Sequence, residues 1–172
     1  MRVIETRRRT WEDRNEEGSP LHRPADLFAA AAAEDFAPVP LLALLKHPLA
    51  LLGRSAPETR AAARALERSA FRDVYVGHGL AGARAALEAA RTEDRRGRLA
   101  LNEQEHAAAL RLVADLETAF APLSALSDGT HTASALAEAQ VATAEALARD
   151  AKGSSSGLWQ GDAGEALSVL LA

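Results

Sequence analysis

Leucine and alanine recur along this chain at helical spacing, in blocks set off by proline, glycine or polar clusters. The densest block is Pro38 to Gly53, PVPLLALLKHPLALLG. Pro38 and Pro40 suit a helix entrance, since each fixes φ and lacks an N–H. Leu41, Leu42, Leu44 and Leu45 point in nearly every direction, the mark of a helix buried all round. Pro48 drives His47 away from α geometry, so the helix is expected to stop at Lys46 or His47. Leu49, Leu51 and Leu52 are expected to resume as a short helical turn closed by Gly53. This proline-interrupted helix is expected to be the centre of the core.

The remaining elements follow from caps and periodicity. Pro24 and Asp26 predict a helix to about Asp35. Ser55 and Glu58 form a capping box for a helix through Leu66 to about Phe71. Arg60, Arg64, Glu67 and Arg68 take its wet side. Val74 to Gly79 is the one stretch that could be extended. Leu80, Ala83 and Leu87 share a stripe on a helix to about Glu93. Asn102 and Glu105 form a second capping box, and Leu110, Val113, Leu116, Glu117 and Phe120 follow at three-and-four spacing. Pro122 is expected to kink or end that helix near Phe120 or Ala121. Thr132 caps a helix to about Ala151 with Leu136, Val141 (or Gln140) and Leu147 near one face. Asp162 and Glu165 open a last helix, still apolar at Ala172. An end in mid-helix suggests part of something longer.

The reading is an all-α, irregular helical bundle of about six to eight helices. Residues 1–22 form a charged arm, flexible or partly helical, and residues 23–172 one helical domain. Within the arm, the triplet Arg7 to Arg9 makes phosphate contact the sharper alternative. Nearly half of the 172 residues are hydrophobic, yet few are aromatic or β-branched, which favours helices over sheets.

A net charge of −4 argues against a strongly basic nucleic-acid domain but leaves room for a local basic strip. The absence of cysteine removes disulfides, thiol chemistry and cysteine-bound clusters. No apolar h-region follows the N-terminal arginines, and no apolar run reaches about 18 residues. The expectation is a cytoplasmic protein with no membrane partner.

Phosphate-cradle, nucleophile-elbow, dinucleotide and zinc-helix motifs are all missing. Glu103 and His106 make half of a di-iron spacing without its mate; a cap and a surface histidine are the plainer reading. No catalytic, cofactor or metal residue is assigned. His47 reads as a histidine bonded to a helix-end carbonyl, or with Lys46 as a phosphate contact. Arg91, Arg95, Arg96 and Arg98 interleave with Glu93 and Asp94, as a solvated face or a nucleic-acid strip. Lys46, His47, Arg54, Arg91, Arg95, Arg96 and Arg98 are thus the candidate nucleic-acid contacts.

Pro38 to Leu49 resembles a segment of AddB-type double-strand-break repair proteins of alphaproteobacteria. Ala63 to Arg68, Gly79 to Gly82 and Arg84 to Leu87 follow in the order expected there, as does Leu158 to Leu167. The resemblance covers the chain from Leu21 onward. It implies a helical insertion of a helicase-like region that braces lobes and lines a DNA path. It implies as partners an AddA-type helicase–nuclease subunit, DNA and the remainder of an AddB-like chain. That family's nuclease module and iron–sulfur cluster lie toward the C-terminus, and no catalytic residue of the family maps onto this sequence. The competing reading is a stand-alone helical protein-interaction module with no DNA role.

Overall fold

The computed structural model describes residues 24–72, 77–92 and 101–160. The arm at 1–22, Val74 to Val76 of the extended candidate Val74 to Gly79, and the helix opened by Asp162 lie outside them. So do Arg95, Arg96 and Arg98. Gly79 itself begins a helix. Among the described residues there are six α-helices and no strand. They are α1 (Pro24–Ala33), α2 (Pro38–Lys46), α3 (Ala56–Leu66), α4 (Gly79–Thr92), α5 (Glu103–Ser124) and α6 (Ala133–Ala148). A π turn, Glu67–Phe71, extends α3, and a 3-10 turn, Ser156–Trp159, follows α6. None of these helices is long and apolar enough to cross a membrane.

The centre of the bundle is α5, which packs against α3, α4 and α6. It buries Ala109, Leu112, Val113, Leu116, Ala119 and Phe120. The leucine helix α2 instead packs on α1, α3 and the π turn. Leu41, Leu44 and Leu45 are buried, but Leu42 is only partly so and Val39 is 80% exposed. This corrects the expectation of a helix buried all round at the hub. With nine residues, α2 is less than half the length of α5 and cannot reach as many neighbours.

After α2 the chain does not resume a helix. His47 is extended, the Ala50 N–H donates to the His47 carbonyl, and Leu52 and Gly53 take left-handed φ of 51° and 76°. The reason is a distant acceptor. The N–H groups of Leu51 and Leu52 both donate to the Leu147 carbonyl, at 2.8 and 3.0 Å, and that of Gly53 donates to Arg149. These carbonyls belong to the last turn of α6 and the residue after it, where a helix leaves acceptors unfilled. The loop satisfies them. On its other side the buried Thr59 hydroxyl donates to the Leu51 carbonyl at 2.9 Å.

The capping boxes form. The Glu58 carboxylate accepts from the Ser55 N–H and hydroxyl; Asn102 and Glu105 exchange bonds of 2.8 and 3.1 Å. Thr132 accepts from the Ala135 N–H. Pro122 neither ends nor breaks α5, which continues to Ser124. It sits in the last turn, where it costs one hydrogen bond of a long helix. Leu136 departs from its expected place on the inner face of α6, being 45% exposed. Leu147 faces inward as expected, joined by Ala139, Thr143, Ala144 and Ala148.

Helix α1 ends in a Schellman arrangement: the Phe36 N–H donates to Ala31 and that of Asp35 to Ala32. Glycine usually occupies the left-handed position of this motif, yet Asp35 holds it at φ 49°. Asp35→Gly relieves this strain but removes the carboxylate that lies against Gly79 at the start of α4. The two effects, each about 0.5–1 kcal/mol, are expected to offset to within about 0.5 kcal/mol in urea denaturation. Its carbonyl bond to the Gly79 N–H is backbone-only and survives the change.

Candidate nucleic-acid interface

Lys46 is exposed in the last turn of α2. His47, next to it, is partly buried against Phe28, Leu44, Leu49, Leu147 and Leu158. Its Nδ1 accepts from the Leu49 N–H at 3.2 Å. The histidine thus caps the proline turn as an acceptor, where a donor to a helix-end carbonyl was expected. Burial in this apolar setting lowers its pKa below the ordinary histidine value. The unfolded chain therefore takes up the proton first as pH falls. The stability contribution is full above about pH 6.5 and is lost as pH falls through the lower folded-state pKa. His47→Asn, which offers an acceptor that does not titrate, is expected to flatten the stability–pH curve in that window. Parallel chemical denaturations of both proteins would check it.

Arg54 is a strut. Its Nη1 donates to the Leu52 carbonyl at 3.0 Å, and its Nη2 pairs with Asp115 on α5. Arg91 is exposed in the last turn of α4. One groove is lined by His47 and another by Arg54, and neither is lined by Lys46 or Arg91. His47 and Arg54 therefore border different surfaces.

A different set converges. Arg64, Arg68 and Arg72 recur every four residues from α3 through its π turn to the residue after it; Arg60, one step earlier, stays outside the set. In an α-helix four residues overshoot a full turn by about 40°. The wider π turn needs more than four residues per turn and undershoots. The change of winding at Glu67 thus returns the later arginines toward the same stripe. It also carries Phe71, five residues after Leu66, round toward the core it packs against. The result is an open groove of about 430 Å³ lined by Ala61, Arg64, Glu67, Arg68, Arg72 and Glu105.

Within it, Arg68 Nη2 donates to Glu105 Oε1 at 2.6 Å. The Glu105 pKa is lowered, first by the Asn102 N–H and then by Arg68. Arg64 and Arg72 have no carboxylate partner among the described residues. The i, i+4, i+8 arginine spacing was visible in the sequence, but it also suits a plain solvated face. Glu105 comes from another helix, so the groove itself was not visible.

His106 is bound otherwise than a surface histidine. Its Nε2 lies 3.0 Å from the Leu87 carbonyl, tying α5 to α4. Among the described residues no three His, Asp or Glu side chains gather as a metal site. No known family profile matches the chain, and no curated protein or solved structure is significantly similar to it.

Proposed function

We propose that this chain is a non-catalytic helical segment of an AddB-like subunit in recombinational repair of DNA double-strand breaks. It braces helicase-like lobes and lines a DNA path, with an AddA-type helicase–nuclease as partner. The observation that supports a DNA-facing role is the arginine-lined groove between α3 and the start of α5. An open groove of guanidinium groups suits phosphates, which carry no sequence information. The motif of Pro38 to Leu49 supports the choice of family.

Fluorescence anisotropy with a labelled single strand and a labelled duplex tests this. Three arginine–phosphate contacts predict an affinity for single strands that drops about fifteen- to twentyfold between 50 and 200 mM salt. No binding at 50 mM salt would reject the DNA role. That result would favour the second reading, a helical protein-interaction module, for which Val39 and Leu136 offer exposed apolar side chains.

A further inference from the structure

Among the described residues, two arginine–glutamate bridges onto α5 differ in one respect. Arg84 meets Glu117 with two points: Nε to Oε1 at 3.3 Å and Nη2 to Oε2 at 2.5 Å. This is the fork that a guanidinium edge presents to two oxygens. Arg68 meets Glu105 with one point only, through Nη2. Its Nε is buried and has no hydrogen-bond partner among the described residues. The second oxygen of Glu105 is engaged elsewhere, accepting from the Asn102 N–H at 3.1 Å.

We propose that Arg68 is a phosphate-receiving fork held in reserve by Glu105, at the middle of an Arg64–Arg68–Arg72 ladder that contacts successive phosphates of one nucleic-acid strand. This rests on the DNA-facing reading above and names its contact residues.

Three features lead there. Once Arg68 leaves Glu105 and its buried Nε is uncovered, a phosphate presents two oxygens to the Nε and Nη2 edge and fills the donor that Glu105 leaves unmatched. Four residues of α-helix rise about 6 Å, of the order of the separation of neighbouring phosphates along one strand, and the wider π turn shortens the step from Arg68 to Arg72. Glu105 can let go of Arg68 without uncapping α5, because its other oxygen keeps the Asn102 N–H. Three arginines then face two glutamates, Glu67 and Glu105, so the groove carries net positive charge. Glu105 competes with the incoming phosphate for Arg68.

The test is anisotropy with a labelled oligo-dT strand and a matched duplex over a salt series. Circular dichroism melts check that each variant is folded. Glu105→Gln keeps a capping-box residue at its position and removes the competing charge. It is expected to tighten binding about two- to fivefold. Arg64→Gln and Arg72→Gln are each expected to shallow the salt slope for the single strand by about 0.7. Arg68→Lys keeps the charge but loses the fork, so binding weakens while the slope is retained. Wild-type binding with an unchanged slope in the Arg64 and Arg72 variants would overturn the ladder and leave the DNA reading standing. Weaker binding by Glu105→Gln would overturn the reserve role. A wild-type chain that binds neither strand nor duplex would overturn both the ladder and the reading beneath it.

Discussion

Phe120→Ala is expected to destabilise the bundle by about 3–5 kcal/mol, the largest effect of any single truncation here. Phe120 is 1% exposed and, among the described residues, is the largest of the fully buried side chains. It lies on the inner face of α5, the helix that α3, α4 and α6 all touch. Its ring also meets Phe36 edge-on, with centroids 4.8 Å apart and planes at 86°. Such a pair contributes about 0.5–1.5 kcal/mol beyond the buried area. Phe36 sits in a left-handed conformation at φ 54°, next to Asp35 at 49°. Two non-glycine residues there are strained, and packing of Phe36 on the core is what offsets that strain. Removing the Phe120 ring leaves a cavity and takes away the contact that holds the turn. Urea denaturation followed at 222 nm measures the loss. A midpoint within experimental error of wild type would contradict the central position of α5.

Leu45→Ala is expected to cost about 2–5 kcal/mol, while Val39→Ala on the same helix stays within about 0.5 kcal/mol. Both residues belong to a block that reads as uniformly apolar. Leu45 is 1% exposed and Val39 is 80% exposed. The contrast lies in α2 having one covered side, against α1, α3 and the π turn. Similar losses for the two variants would mean that α2 is covered on the Val39 side as well. The same denaturation experiment decides it, provided the dependence on denaturant concentration is unchanged.

The helix starts were legible because the groups that make them are three residues apart. Ser55 with Glu58, and Asn102 with Glu105, find each other whatever the rest of the chain does. The end of α2 was legible for the same reason, since Pro48 acts on the residue beside it. The inner stripe of α4, Leu80 with Ala83 and Leu87, was legible from periodicity. By contrast, the Leu49 to Leu52 stretch is as apolar as a helical turn. Its conformation is decided by the Leu147 carbonyl, almost a hundred residues later. Leu136 is a leucine at helical spacing whose outward position depends on which face α5 covers. The π turn at Glu67 likewise leaves no mark in local composition.

The candidate site divides along the same line. Single basic residues could be named, but Arg54 proves to be tied to Asp115, 61 residues away. The spacing of Arg64, Arg68 and Arg72 was written in the sequence. Its meaning changes only when the start of α5 brings Glu105 against Arg68.

By itself, then, the amino-acid sequence determined the helical class, the caps and most helix limits, because these depend on contacts within a turn or two of helix. Tertiary structure alone decided which helix is central, which leucines face water, how the chain leaves α2 and which arginines line a groove. Those outcomes depend on acceptors, cavities and charges supplied by distant segments, and no local pattern carries the position of a partner that arrives only when the chain has folded.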